Sequence, residues 1–357
     1  MSTDEQTPDP FPQRPGAVGE PPQHYGDPFV EQRELAAGRA IVDLADRDVV
    51  TVSGPDRLTW LDSLLSQSLA RLAPGESAEA LLLDPSGRIE YVARVVDDGE
   101  TAWLLMDPGT GAGLAAFLDR MRFMLRVEVA DRSAEYATIG TLGDPVDGVV
   151  VWRDPWTQVV AGGHQYAHAA EHPGADWTYS ESLVPRDGLA ALADRPAAGT
   201  LALEALRLAA WRPRAATELD ATAIPHEFDW MRSAVHLAKG CYRGQETVAK
   251  VHNLGHPPRR LVLLHLDGSD NVAVAAGDEV RIDDKAVGRV TAAATHFELG
   301  PIALAVVRRS TDPAATLSVA AADGVVSAAQ EVIVPTDAGA EADVPRLPRL
   351  GAVRRNG

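Results

Sequence analysis

Cysteine is nearly missing from this sequence: Cys241 is the one thiol in 357 residues. An intrachain disulfide framework is therefore excluded. So is a cluster site built from this chain's thiolates alone, because iron–sulfur clusters take several. Lysine is almost as scarce, with only Lys239, Lys250 and Lys285 against thirty arginines. Positive charge is in deficit as well: 33 Lys and Arg face 51 Asp and Glu, a net charge of −18. Such a chain repels phosphate backbones and anionic bilayers, so neither nucleic acid nor membrane is an expected partner. No apolar run reaches the roughly 18–20 residues of a transmembrane helix. The first thirty residues lack the basic-then-apolar pattern of a secretory signal, and the expected location is cytoplasmic.

What is present reads as α+β. Residues 1–28 are Pro-rich, polar and aperiodic, and are expected to be a disordered arm. A helix near 29–37 is followed by an expected strand pair, Ala40–Leu44 with Val49–Val52. Leu58, Leu61, Leu64 and Leu65 then recur at helical spacing. Strands follow at 80–83, 89–96, 101–106, 127–129 and 137–142, with a helix from Leu114 to about Arg122. Residues 145–200 carry no readable period. Helices are expected at Leu201–Trp211 and from Gln245 to Asn253, with Gly255 as C-cap. The expected domains are an α+β region over 29–256, in two subdomains, and a small C-terminal β-barrel over 257–335. A flexible tail is expected over 336–357.

Residues 239–246 read Lys-Gly-Cys-Tyr-Arg-Gly-Gln-Glu. Two glycines around the Cys-Tyr-Arg step require a tight backbone or a close approach. The Gln-Glu pair opens a helix whose first N–H groups make a positive field. A thiol there, two residues from a lysine, is expected to titrate below the free-cysteine range. Cys241 and Lys239 are therefore the catalytic candidates, with a buried, inert cysteine as the bland alternative.

This octapeptide resembles the KGCYxGQE signature of the YgfZ branch of the YgfZ/GcvT folate-binding family. The likeness extends to Val52–Leu61, to Leu203–Pro213 with Glu218-Leu219-Asp220, and to Gly288–Ala305. The resemblance implies a GcvT-like folate-binding α+β region followed by the barrel. It also implies tetrahydrofolate, or a substituted reduced folate, as cofactor, and a part in assembling or repairing iron–sulfur clusters. Partners would be iron–sulfur client enzymes or cluster-assembly proteins. Arg207 matches an arginine of the T-protein helix and is the implied folate contact. Glu204 and Glu246 are the candidate carboxylates for the pteridine, with Tyr242 and Gln245 in the same pocket. The T-protein uses an aspartate after a Gly-Gly-Ile entry. Here Tyr91 and Val92 stand at those positions, which disfavours the alternative of a one-carbon (aminomethyl) transferase.

A third possibility is a cysteine nucleophile activated by Lys239 or a histidine, with His252 and His256 near in sequence. Gly109-x-Gly111-x-Gly113 lacks the spacing of a phosphate loop and is read as a turn. His164, His168 and His172, spaced by four, lack a fourth ligand and are read as exposed rather than as a metal site.

Overall fold

The computed structural model describes residues 9–269 and 271–342. Helix α1 (Pro28–Ala36) leads into β1 (Ile41–Leu44), β2 (Asp48–Ser53) and α2 (Arg57–Leu64). A meander follows of β3 (Ser77–Leu83), β4 (Ile89–Asp97) and β5 (Thr101–Met106), then α3 (Gly111–Met121), β6 (Glu128–Asp131) and β7 (Tyr136–Thr141). The stretch without a readable period contributes β8 (Val150–Arg153) and β9 (Ser180–Pro185). Next come β10 (Ala197–Ala198), α4 (Thr200–Ala209), α5 (Ala215–Glu218) and α6 (Gln245–Leu254). Strands β11 (Arg259–Leu266), β12 (Glu279–Ile282), β13 (Lys285–His296), β14 (Gly300–Arg308), β15 (Leu317–Ala321) and β16 (Gly324–Val332) close a six-stranded barrel.

The first two strands do not pair with each other, contrary to the sequence expectation. β1 pairs with β7 and β10, in a sheet ordered β10-β1-β7-β9-β8, whereas β2 sits between β5 and β6 in a sheet ordered β3-β4-β5-β2-β6. Three residues, Ala45–Arg47, carry the chain from one sheet to the other, so a short loop that looked like a hairpin turn is a crossover. β15 and β16 are rich in Ala, Ser and Gly, and only Leu317, Val319, Val326 and Ala328 point inward.

The Pro-rich arm is not disordered over residues 9–27. Phe11 is fully buried against Ile41, Ile139 and Val184, and the Arg14 guanidinium sits 4.5 Å over its ring while donating to the carbonyls of Leu192 and Arg195. The N–H groups of Thr200 and Leu201, at the start of α4, donate to Pro22 and Gln23 carbonyls. One buried aromatic contributes roughly 1.5–3 kcal/mol, and proline lowers the entropy lost on ordering. Residues 1–8 lie outside the described residues. The start of the expected tail is likewise bound: Glu341 and Ala342 N–H groups donate to the His252 and Asn253 carbonyls of α6. Residues 343–357 lie outside the described residues. No helix among the described residues is long and apolar enough to cross a membrane.

Candidate functional site

The Cys241 loop is held by almost every residue except the cysteine. Lys239 is buried, and its ammonium donates to three carbonyls at the end of α2 and beyond: Asp62 at 2.5 Å, Gln67 at 2.7 Å and Leu65 at 2.8 Å. The Asp62 carboxylate lies 3.3 Å away, and the Tyr242 ring centroid 5.4 Å. Burial lowers its pKa, against the pull of Asp62. The ammonium is thus bonded to carbonyls of α2 and the segment after it, and no hydrogen bond joins it to the thiol. Its role here is to pin the loop.

Tyr242 is buried in the main core, and burial pushes its phenol up. Arg243 pairs with Glu90 of β4 and stacks 5.4 Å from the Phe117 ring of α3. Gly244 adopts φ +83°, where a Cβ would sit 2.6 Å from the Asp84 carbonyl oxygen and 3.1 Å from Gly87 Cα. Only glycine allows that approach of the β3–β4 turn to the start of α6. The Gln245 amide donates to the Lys239 carbonyl at 3.4 Å, and Glu246 is exposed. Cys241 is exposed, beside Gly240, around whose Cβ position there is open space. No hydrogen bond joins either suggested histidine partner to it. His252 Nδ1 meets the Tyr166 hydroxyl at 2.9 Å, and His256 Nδ1 meets the Ala338 carbonyl at 2.8 Å.

Arg207 occupies a second, wholly different setting. Its guanidinium is buried and donates to both Glu204 oxygens (2.5 and 3.0 Å), to Glu218 (3.0 Å) and to the Arg212 carbonyl (2.5 Å). Burial alone would lower its pKa, but the two carboxylates raise it; Glu204 is correspondingly lowered by Arg207. Thr291 of the barrel donates to Glu218, so this node ties α4 to the barrel. The fifth donor meets the Thr217 hydroxyl at 3.3 Å, so every N–H of the Arg207 guanidinium has a partner within the fold.

The node forms one wall of a cavity between the two sheets and α4, with a free volume of ≈ 40 Å³. Sequence reasoning missed most of its walls. Arg212 bridges Glu79 (2.7 Å) and Asp154 (2.8 Å). Glu181 Oε1 accepts from Arg47 and, at 3.0 Å, from the Tyr179 hydroxyl, while Glu181 Oε2 is buried without a partner. Trp177 stacks on Tyr179 with centroids 5.1 Å apart. Burial pushes Arg47 down to about 10. Arg214 is the least committed cation, with its side chain 31% exposed and Nε unpartnered. Of the expected folate residues, Glu204 and Arg207 line this cavity; Tyr242, Gln245 and Glu246 do not. Of the missed walls, Asp154, Trp177, Tyr179 and Glu181 lie on β9 and the loops around β8 and β9, where Gly, Pro and Trp obscure any period, and Arg47, Glu79, Arg212 and Arg214 come from β3 and from the β1–β2 and α4–α5 loops.

Val92 and Arg94, and no carboxylate, are the β4 residues on the cavity wall, and Tyr91 packs on the opposite side beside Gly113. The histidine series is not helical. His164 packs edge-on to Tyr166 and His252, His172 caps a short turn of 3₁₀ helix, and only His168 is exposed. His164 and His172 thus correct the expectation of exposed imidazoles. No group of metal-ligating side chains occurs among the described residues.

The layout of two sheets and a closed barrel around this cavity is a GcvT-like α+β fold. The glycine cleavage T-protein C-terminal barrel domain matches residues 259–336. The solved glycine cleavage system aminomethyltransferase T of Bartonella henselae superposes with a TM-score of 0.70 at 17% identity, over 91% of this chain and 95% of that one. Among curated proteins, a chloroplastic protein of Arabidopsis thaliana named as a transferase is 24% identical over 74% of this chain. An iron–sulfur cluster assembly factor IBA57 homolog, mitochondrial, from Mycosarcoma maydis is 28% identical over 61% of it. An aminomethyltransferase of Cutibacterium acnes is 28% identical over 36%. The chain spans 65%, 55% and 35% of the lengths of these three relatives.

Proposed function

We propose that this chain is a tetrahydrofolate-binding factor of the YgfZ type that assists assembly or repair of iron–sulfur clusters in client proteins, with Cys241 as its working thiol. The observation that carries the reading is the Cys241 loop. Lys239, Tyr242, Arg243 and Gly244 are all committed to holding the backbone, and the thiol among them is left exposed without a partner. A merely structural cysteine would be buried. The cluster or its sulfur is cargo here, and one thiolate suffices to touch it. The likeness to a cluster assembly factor supports the same reading.

The cavity's donor set suits a folate. The unpartnered Glu181 oxygen can accept from the pteridine's amide and amino edge, Trp177 and Tyr179 offer flat faces, and Arg214, held by a 3.5 Å ion pair to Glu204, is the cation that can turn to meet a glutamate tail. A volume of ≈ 40 Å³ holds a few waters, so entry of the ring requires Arg214 and its neighbours to swing outward. Bound folate would supply a reduced pterin; Glu181 and the aromatic pair would orient it. Tyr91 and Val92 stand where the resemblance to the T-protein calls for a carboxylate, and the chain is read as an accessory factor rather than a transferase.

Saturating tetrahydrofolate should raise the melting temperature, and Arg214→Ala should diminish that shift. An unchanged melting temperature at saturation would overturn the folate reading. Transfer of an aminomethyl group to tetrahydrofolate by the purified chain would restore the transferase alternative.

A further inference from the structure

The turn that follows α3 displays three apolar side chains to water: Phe123 is 83% exposed, Met124 97% and Leu125 41%. The display is built rather than incidental. Phe123 holds φ +44°, a left-handed conformation unfavourable for an aromatic residue, and the Leu125 N–H closes the turn on the Arg122 carbonyl at 2.9 Å. The base is clamped. Arg126 donates to Asp56 through its backbone N–H (2.9 Å) and its guanidinium (2.6 Å). Gly54 approaches so closely that a Cβ there would lie 2.2 Å from the Arg126 carbonyl oxygen. Strain and clamp together aim an apolar tip outward, where it gains nothing in the isolated chain.

The helix that ends in this turn also meets the loop that carries the thiol. Arg243, two residues from Cys241, stacks on Phe117 of α3 at 5.4 Å. Phe117 precedes Phe123 by six residues, roughly 9 Å of helix rise.

We propose that Phe123, Met124 and Leu125 form the docking element for an acceptor protein that receives its cluster chemistry at Cys241. The occupant is a protein pocket, apolar at its floor and carrying a carboxylate at its rim. Arg122 and Arg126 are neutralised by Asp119 and Asp56, leaving Arg120 as the guanidinium of this turn without an ion pair among the described residues. One such cation in a chain of net charge −18 does not hold a protein on an anionic bilayer, which needs several. It does suit one carboxylate beside a pocket that Phe and Met fill. The choice of an iron–sulfur acceptor rests on the reading of Cys241 above.

The test uses the full chain in cells lacking the native copy, with iron–sulfur enzyme activities as readout. The Phe123→Ser, Met124→Ser double variant should lower those activities about ten-fold, as loss of a docking hot spot does. It should leave the melting temperature and the alkylation rate of Cys241 unchanged. Full activity in the double variant alongside lost activity in Cys241→Ser overturns the docking element while leaving the thiol reading intact. Undiminished activity in Cys241→Ser sinks the thiol reading instead, and a second arm then decides the docking surface. In it a benzophenone amino acid replaces Met124, and light-induced adducts are mapped. One protein peptide combining apolar and acidic residues, lost on Phe123→Ser, supports the surface; lipid adducts, scattered peptides or none overturn it.

Discussion

The Arg207 node and the Cys241 loop are both dense with polar contacts, yet the contacts serve opposite ends. Around Arg207 every donor is matched by an acceptor of the fold. Around Cys241 the matched contacts belong to its neighbours, and the remainder is one exposed thiol. The buried residue with a recognisable family counterpart thus has its donors taken up by the fold, while the residue on the loop is left exposed. Saturation by neighbours separates the two more sharply than burial does, because a ligand can only take donors and acceptors that the fold has not used.

The largest effect expected from that contrast is at Arg207. Arg207→Ala strands Glu204 and Glu218 in the interior and severs α4 from the barrel, so it should cost about 3–5 kcal/mol, measured by denaturant unfolding. A loss below about 1 kcal/mol would mean that the node is not saturated and would reopen it as a ligand site.

The sequence made the barrel, α4, α6 and the Cys motif visible because each carries its own period or turn chemistry. β1 and β2 were visible as strands, but their partners were not, since pairing depends on β7 and β5, far along the chain. Arg207 was legible as a site residue only by likeness. Its saturation by Glu218, eleven residues on, is a tertiary fact. Glu181 and Arg214 were not legible at all. An unpartnered oxygen leaves no trace in composition, and β9, which carries Glu181, is followed by a proline and a 3₁₀ turn that mask its alternation.

Gly244 tests the claim that the motif is architecture around the thiol. Gly244→Ala must adopt φ +83° and place a Cβ 2.6 Å from the Asp84 carbonyl oxygen. The left-handed conformation alone costs about 1–2 kcal/mol, and the clash brings the expected loss to about 2–4 kcal/mol. Cys241 should then alkylate faster or slower than in the parent as the loop moves. An unchanged stability and rate would show that the β3–β4 turn does not set the thiol's position.

A smaller effect is expected from pH. His226, packed beneath α6 with Nε2 3.1 Å from the Val248 carbonyl, is pushed down to about 3 by burial. The unfolded chain binds that proton from about pH 6.5 downward and the folded chain does not. The resulting stability is complete above about 6.5 and is lost as pH falls toward 3, with a slope of at most about 1.4 kcal/mol per pH unit. His226→Gln keeps a donor and removes the titration, so its stability between pH 6.5 and 4 should fall less steeply than the parent's. Parallel curves would place the acid sensitivity elsewhere.

The smallest expected change in stability is at Cys241 itself, and it pairs with the largest expected change in function. The side chain is exposed and makes no hydrogen bond among the described residues, so Cys241→Ser removes no packing and leaves no buried group unmet. Surface substitutions of this kind stay within about 0.5 kcal/mol. Folate affinity should also hold, because Cys241 is not among the residues lining the central cavity. In cells, however, the activity of iron–sulfur enzymes should fall to the level of a strain lacking the chain. Near-native stability together with lost function is the signature of a group that acts outward, and it is the reverse of what Arg207→Ala should give. If Cys241→Ser instead destabilises the chain by more than about 1 kcal/mol while the cellular activities persist, the loop and the node are the same kind of structure, and the contrast between them collapses.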